Sequence, residues 1–287
     1  MRLTKHHGLG NDFLVLLDPA ASLPLSAEVA RALCARHTGI GADGVIRAVP
    51  ATDGGPARVR MELYNADGSR AEMSGNGIRC LAQALAFGWP GLGAPGDDIA
   101  VETDAGLRVV HVIDHPDAVT HTLSVAMGPA TVEGEAPEWT GGAVRRALWV
   151  DTGNPHLVLE VGAVAPVGLV PGVEVVEVAG DVDLVALGEA VNAKVAGGAN
   201  VHLVTAADGG IAVRTYERGV GLTQACGTGA CASAAAARTW GLVGDVVTVL
   251  MPGGRAEVRL DPGGRDAVLQ GPATYVGAVE LGESPWR

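Results

Sequence analysis

Charged and aromatic residues are scarce in this sequence: they make up 18% and 3% of its 287 residues. With so few aromatic side chains, the core has to be built mainly from Val, Leu, Ile and Ala. The 42 glycines favour many short strands joined by tight turns. A chain of this length is expected to form two domains, each with its own core.

Long apolar runs are also missing. No stretch approaches the roughly 20 apolar residues of a membrane span, and residues 1–7 lack the apolar centre of a signal peptide. The 32 acidic and 20 basic residues give a formal charge of −12, which disfavours nucleic acid and anionic membranes as partners. We therefore expect a soluble, cytoplasmic protein.

Cysteine is rare, and the four cysteines show no Cys-x-x-Cys spacing. This excludes a disulfide framework and favours reduced thiols. The eight histidines show no ligand spacing either, so no metal site is predicted. His6 and His7 are expected to be solvated, and a structural or a functional role is equally compatible with His156.

The sequence contains a degenerate internal repeat. Residues 10–16 (GNDFLVL) recur as 153–159 (GNPHLVL), and residues 128–131 (GPAT) recur as 271–274. Tyr64 precedes Ser74 by ten residues, as Tyr216 precedes Cys226, and each of these later residues is followed by a Gly-x-Gly turn. The repeat predicts two related lobes, each carrying one small nucleophilic side chain.

Four helices are predicted from apolar periodicity and capping signals. One begins after Ser26 and ends near residue 37, and another begins at Asp181 or Asp183 and ends near residue 193. Helices 78–87 and 230–240 are apolar nearly all round, which is typical of helices buried inside a lobe. Residues 109–113 and 257–260 alternate as half-buried strands do.

The two buried helices start at Gly-x-Gly turns, where unpaired backbone N–H groups attract anions. These two N-termini are expected to point toward a cleft between the lobes and to bind one carboxylate. A thiol at such a position is expected to have a lowered pKa, which makes Cys226 the best candidate base. Residues 39–44 (GIGADG) fit a dinucleotide fingerprint, but they follow a helix and precede a strand, so a structural turn is favoured.

A set of motifs resembles the diaminopimelate epimerase family, and the matches run in the family's order from residue 5 to beyond residue 274. The motifs are 8–13 (GLGNDF), 36–44 (RHTGIGADG), 65–69 (NADGS), 74–79 (SGNGIR), 153–156 (GNPH), 216–219 (YERG) and 224–232 (QACGTGACA).

The resemblance implies an α+β fold of two pseudo-symmetric lobes, each a strand-rich barrel around a central helix, with the active site in the cleft between them. The N-terminal lobe is expected to contain residues 1–120 plus 275–287, and the C-terminal lobe residues 121–274. The implied activity is epimerisation of LL- to meso-diaminopimelate by two-base proton transfer at the α-carbon, in lysine and cell-wall precursor biosynthesis. Neither pyridoxal phosphate nor a metal is implied, and a homodimer is expected.

The family's functional residues carry over position by position. Cys226 and Ser74 occupy the two catalytic positions, and Glu217 with Arg218 is expected to hold an ammonium and a carboxylate group. Four asparagines are expected to hydrogen-bond the substrate, and four residues at the helix starts to donate backbone N–H groups to the reacting carboxylate. They are Asn11, Asn65, Asn154 and Asn200 in the first set, and Gly75, Asn76, Gly227 and Thr228 in the second.

Two positions depart from the family's pattern. Gly44 replaces a ligand-binding side chain, and Ser74 stands where the first catalytic cysteine belongs. A serine hydroxyl is far less acidic than a thiol, so a symmetric two-thiol mechanism is excluded. The sequence leaves open a natural Ser/Cys epimerase, a chain altered to trap a ligand, and a relative with a drifted function. The alternative functions are a proline or hydroxyproline racemase of the same fold and a catalytically impaired diaminopimelate-binding protein.

Overall fold

The computed structural model describes residues 1–51, 55, 57–89, 91–162, 182–263 and 266–282. The chain divides into two compact units. The first contains Met1–Val125 and Gly271–Arg287, and the second contains Ala126–Gln270. The lobe boundaries expected from the sequence, 120/121 and 274/275, stay a prediction.

The first unit is built on short strands joined by glycine-rich turns. Its strands are β1 (Arg2–Gly8), β2 (Asn11–Leu17), β3 (Gly44–Pro50), β4 (Val59–Asn65), β5 (Arg70–Ala71), β6 (Asp98–Thr103), β7 (Gly106–Asp114) and most of β8 (Thr120–Gly128).

The second unit contains the remaining described strands. They are β9 (Thr131–Glu135), β10 (Val144–Asp151), β11 (Pro155–Val161), β12 (Asn200–Ala207), β13 (Gly210–Glu217), β14 (Gly221–Thr223), β15 (Val246–Met251), β16 (Gly254–Leu260) and the start of β17 (Ala267–Glu280). The rest of β17 belongs to the first unit.

Within the described residues, eight strands of the first unit form a closed barrel. Strand β1 pairs with β2, and the ring continues through β3, β4, β6, β7 and β8 to β17, which pairs with β1. The Tyr275 N–H closes the ring by donating to the Val119 carbonyl oxygen at 2.7 Å. A closed barrel leaves no edge strand that can pair with another chain.

The second unit repeats the pairing pattern of the first. The β2–β3 and β4–β6 pairs are parallel in the first unit, and β11–β12 and β13–β15 are parallel in the second. The strands between them pair antiparallel in both units. The internal sequence repeat therefore corresponds to a repeat of strand order.

Each unit encloses one buried helix. Helix α2 (Gly75–Gly88) packs against β1, β2, β3 and β7, and its residues from Gly75 to Leu85 are all buried. The equivalent helix of the second unit (Gly227–Thr239) packs against β9 to β13, β15 and β16, and it is buried at ten of its positions. These observations confirm the predicted α+β class with strand-rich units around central helices. Both helices begin three residues before the predicted start, because Ser74 and Cys226 themselves cap them.

The two other helices lie outside the barrels. Helix α1 (Ala27–Cys34) is capped by Ser26 as predicted, but it ends three residues before the predicted residue 37. The backbone of Ala35 leaves helical geometry, and Arg36, the next residue, bonds two carboxylates. Helix α3 (Leu184–Lys194) is capped by Asp183, whereas Asp181 lies outside the described residues. The buried helix at Gly227–Thr239 is α4.

Several smaller predictions can be checked on the same structure. Residues 109–113 and 257–260 lie in β7 and β16, with alternating burial. Residues 39–43 form a loop that leads into β3, so the motif has the helix–loop–strand order inferred from the sequence. The expected solvation of His6 is wrong. Its side chain is fully buried, because β1 packs against α2, and its Nδ1 donates to Gln83 Oε1 at 2.8 Å.

In the described part of the chain, no helix is long and apolar enough to cross a membrane.

Candidate functional site in two half-sites

The candidate residues of the first unit gather at the N-terminus of α2. Ser74 has extended backbone geometry, and its Oγ accepts the Gly77 N–H at 3.0 Å. It is thus the N-cap of the helix, and its half-buried hydroxyl lies beside the backbone N–H groups of Gly75 and Asn76. The partial positive charge of the helix start favours an anionic group at this position.

A chain of hydrogen bonds fixes the orientation of two amides in this half-site. Arg79 donates to Asn76 Oδ1 at 2.8 Å, and Asn76 Nδ2 donates to Asn11 Oδ1 at 3.1 Å. Asn11 Nδ2 in turn donates to Asp43 Oδ2 at 2.8 Å. Asn11 is therefore held at both ends of its amide, and it connects β2 with α2.

Charged residues that the sequence analysis missed support this chain. Arg36 bonds both Asp43, at 2.7 Å, and Asp12, at 2.9 Å. Burial acts to raise the pKa of the Asp12 carboxyl, but Arg36 and Lys5 outweigh it and hold that pKa below its usual value. Asp12 and Arg36 lie inside two of the family motifs. Their pairing could not be predicted from local sequence, because they are 24 positions apart.

Asn65 and Gly44 lie at the end of the β3–β4 pair, opposite each other in the strand register. Asn65 Nδ2 donates to Ser69 Oγ at 3.0 Å within an exposed turn. A Cβ atom at residue 44 would lie 2.8 Å from the Tyr64 carbonyl oxygen, closer than real Cβ contacts. The absence of a side chain at Gly44 is therefore a packing requirement of this chain.

The second half-site repeats the arrangement with a thiol. Cys226 caps α4, and its Sγ accepts the Gly229 N–H at 3.4 Å. The Thr228 hydroxyl lies 3.5 Å from the same sulfur, and Gly227 and Thr228 form the first turn of the helix. Ser74 and Cys226 thus occupy equivalent positions in the two units.

The expected low pKa of Cys226 is wrong in this structure. Burial raises the pKa of the thiol well above 9.0, and the nearby Glu217 carboxylate raises it further, both by its charge and as a hydrogen-bond acceptor. The bonds from Thr228 and Gly229 act in the opposite direction but are weaker. The geometry of a helix start predicts the local hydrogen bonds of a thiol, but desolvation and neighbouring charges decide whether it is ionised. Cys226 is therefore a neutral thiol in this structure.

Glu217 and Arg218 lie at the end of β13, next to Asn200 at the start of β12. Asn200 Oδ1 accepts the Arg218 backbone N–H at 2.9 Å, which orients the amide and connects the two strands. The exposed Arg218 side chain donates to the Gly197 carbonyl oxygen. Glu217, Arg218 and Asn200 therefore lie at the same end of the paired strands β12 and β13.

Asn154 lies in the turn between β10 and β11, after Gly153, whose φ of +91° suits glycine. Its Oδ1 accepts from Thr152 at 3.1 Å and lies 2.9 Å from His156 Nε2. His156 in turn contacts His202, a residue that the sequence analysis did not single out. No local sequence pattern indicates this contact, because the two histidines are 46 positions apart, on parallel strands.

Cys34, Cys80 and Cys231 are buried thiols. Burial raises the pKa of Cys34 and that of Cys80 to about 12. Among the described residues, no group of three or more His, Cys, Asp and Glu side chains is arranged to hold a metal ion.

Comparison with solved structures shows which proteins share this fold. The chain is similar to a predicted epimerase from Pseudomonas aeruginosa, with a TM-score of 0.72 and 19% identity over 99% of both chains. It is also similar to a hydroxyproline epimerase from Agrobacterium vitis, with a TM-score of 0.68 and 19% identity, over 98% of this chain and 90% of the other. The fold is thus one found among amino-acid epimerases.

Sequence comparison identifies the family. The diaminopimelate epimerase family matches residues 3–133 and 148–276. Diaminopimelate epimerase from Mycobacterium ulcerans is 37% identical over 302 aligned positions, which cover 100% of this chain and 99% of that protein. The chain belongs to the diaminopimelate epimerase family.

Proposed function

We propose that this protein interconverts LL- and meso-diaminopimelate by inverting one α-carbon, without a cofactor. The observation that supports this most directly is the pair of equivalent N-cap positions. Each unit carries one small proton-transferring side chain, Ser74 or Cys226, at the start of a buried helix. Inversion needs one group to remove the α-proton and a second group to deliver a proton to the opposite face.

The helix starts supply what the carbanion needs. An α-proton is very weakly acidic, and its removal places negative charge on the adjoining carboxylate. In the proposed complex, the backbone N–H groups of Gly75, Asn76, Gly227 and Thr228 bind that carboxylate and stabilise the developing charge. These donors are fixed by helix geometry before the substrate arrives, so they need little reorganisation during the reaction.

The remaining candidates bind the two charged ends of a diamino dicarboxylic acid. Asn11, Asn65, Asn154 and Asn200 are proposed to hydrogen-bond the substrate. Glu217 is proposed to pair with an ammonium group, and Arg218 with a carboxylate. The positions of Glu217 and Arg218 at the end of one strand support a joint role.

The protonation state of Cys226 suggests how it acts. The thiol first gives its proton to Glu217, which accepts a hydrogen bond from it, and the resulting thiolate removes the α-proton and becomes a neutral thiol again. Ser74 is proposed to donate or relay the second proton through its hydroxyl. The asymmetric Ser/Cys pair replaces the two thiols of the family's pattern.

The test is NMR of LL-diaminopimelate incubated with the protein in D₂O. We expect deuterium at one α-carbon together with formation of the meso isomer. Cys226→Ala is expected to abolish both signals, whereas Cys231→Ala, which removes another buried thiol of α4, should retain them.

Two other outcomes would contradict the proposal. Inversion of proline without inversion of diaminopimelate would assign a racemase function to the chain. Tight binding of diaminopimelate without any α-proton exchange would show a binding protein that has lost one base. Cytoplasmic location and homodimer formation stay predictions.

A further inference from the structure

A buried chain of hydrogen bonds runs through the second unit to Asn154. The Thr215 hydroxyl lies 2.9 Å from His202 Nδ1, and His202 Nε2 lies 2.7 Å from His156 Nδ1. His156 Nε2 then lies 2.9 Å from Asn154 Oδ1. Both imidazoles are fully buried, so water cannot replace the partners at the centre of this chain.

Both imidazoles are neutral. Burial lowers the pKa of His202 to about 3. Burial, then the neighbouring His202 and Arg218, lower the pKa of His156 well below 6.5. A neutral imidazole carries one N–H and one bare nitrogen, so the position of each proton can be worked out from the partners.

The proton positions follow from the Asn154 end. Thr152 gives its hydroxyl proton to Asn154 Oδ1, so the Thr152 oxygen and Asn154 Oδ1, both 2.9 Å from His156 Nε2, act as acceptors there. His156 therefore carries its proton on Nε2 and accepts on Nδ1. His202 must then donate from Nε2 and accept the Thr215 hydroxyl proton on Nδ1. All hydrogen bonds therefore run in one direction, from Thr215 to Asn154.

This direction determines what Asn154 can offer a ligand. Its Oδ1 is held by His156 and Thr152, and among the described residues no acceptor contacts its Nδ2. The amide therefore presents two N–H donors and no acceptor. Such a group suits a carboxylate and would leave an ammonium group without a partner.

We infer that His202 is a positioning residue that acts through His156 to hold Asn154 as a donor toward a substrate carboxylate. The inference rests on the proposed function, and it deepens it by assigning Asn154 to a carboxylate. His202 also touches the catalytic turn, because a Cβ atom at Gly229 would lie 2.2 Å from its Cε1. One imidazole thus supports both the Asn154 amide and the first turn of α4.

The proton order can be measured without any turnover. In protein labelled with ¹⁵N-histidine, two-bond ¹H–¹⁵N correlation spectra distinguish the tautomers. We expect His156 and His202 both to carry hydrogen on Nε2 at pH 7.5. Hydrogen on Nδ1 of both rings would reverse the direction of the chain and overturn the inference.

Two variants separate positioning from packing. His202→Leu removes both hydrogen bonds, and His202→Gln keeps a donor for His156 and an acceptor for Thr215. We expect the leucine variant to raise the KM and the calorimetric Kd for diaminopimelate about 5- to 20-fold, with kcat within about threefold, because one oriented donor is lost. The glutamine variant is expected to bind within about threefold of the parent protein.

A matched control is available in the first unit. His121 is another buried histidine, 3% exposed, and His121→Leu should leave KM and Kd unchanged. Unchanged binding in His202→Leu, or equal losses in the leucine and glutamine variants, would overturn the inference. If the parent protein neither inverts nor binds diaminopimelate, the proposed function fails, while the tautomer spectra still support or overturn the proton order.

Discussion

At the scale of single residues, the two N-cap side chains trade stability against reactivity. A serine oxygen is a good acceptor for a backbone N–H, and Ser74 Oγ lies 3.0 Å from the Gly77 nitrogen. A sulfur accepts more weakly, and the corresponding distance at Cys226 is 3.4 Å. The thiol, however, exchanges its proton far more easily.

Ser74→Cys is therefore expected to change activity and stability in opposite directions. The turnover number for diaminopimelate should rise about tenfold or more, because a thiol can serve as base and acid in turn. The free energy of unfolding should fall by about 0.5–1 kcal/mol, because the cap becomes weaker. Initial rates in D₂O and urea unfolding measure the two effects.

An unchanged or lower rate in Ser74→Cys would mean that residue 74 does not take part in proton transfer. The corresponding change in the other unit, Cys226→Ser, serves as the control. It should strengthen the cap of α4 and reduce turnover.

At the scale of the elements, the first turns of α2 and α4 differ in how tightly they are packed. A Cβ atom at Gly229 would lie 2.2 Å from His202 Cε1, inside a buried ring. At the equivalent Gly77, a Cβ atom would lie 3.1 Å from Ser74 Cβ and 3.2 Å from Ile46 Cδ1. The first turn of α4 therefore has no room for a side chain at residue 229. The first turn of α2 would accommodate one at residue 77 with a small shift of its neighbours.

Gly229→Ala is expected to lower the free energy of unfolding by about 1–3 kcal/mol, the usual cost of overpacking a core. Gly77→Ala should change it by less than about 1 kcal/mol, because mild crowding is offset by the better helix propensity of alanine. Urea unfolding of both variants gives the comparison. Equal losses in the two variants would refute the packing difference.

The same elements show the limits of sequence analysis. The two buried helices, two of the half-buried strands and the presence of two related units followed from apolar patterning and the internal repeat, because burial imposes a period on the local sequence. The hydrogen-bonding chains Arg79–Asn76–Asn11–Asp43 and Thr215–His202–His156–Asn154 did not follow. Their members come from different strands and helices, and only the strand pairing brings them together.

At the scale of the whole molecule, buried histidines link folding to pH. His6 and His121 have their pKa lowered to about 4, and His202 to about 3, in each case chiefly by burial. His156 is lowered in the same direction. The unfolded chain takes up these protons near pH 6.5, where the folded protein does not.

The free energy of unfolding should therefore decrease as the pH falls below about 6.5. Each fully buried histidine contributes up to about 1.4 kcal/mol per pH unit until its folded pKa is reached. The sign follows because the unfolded state binds more protons in this range. Urea unfolding at pH 7.5, 6.0 and 5.0 measures the effect.

This loss of stability should begin at a higher pH than the loss caused by protonation of buried carboxylates. The pKa values of Asp12 and Asp18 are lowered from 3.8, so these carboxylates take up protons only at lower pH. A free energy of unfolding that stays constant between pH 7 and 5 would contradict the prediction. In His121→Leu and in His202→Gln the free energy of unfolding should decrease less with falling pH, because each variant lacks one of the buried histidines.

The sequence by itself determined the class of fold, the repeat, the family and the two candidate reactive positions before the Gly-x-Gly turns, because each is written in local patterns of apolar residues, glycines and motifs. That Ser74 and Cys226 cap the two helices was shown only by the structure. Only the tertiary structure decided the protonation of Cys226, the burial of His6, and the partners of Asn11 and Asn154. Protonation and hydrogen bonding depend on the solvent that folding removes and on the charges that it brings near. Glu217 lies nine positions before Cys226 in the sequence, yet its carboxylate reaches the thiol because of where β13 ends and α4 begins.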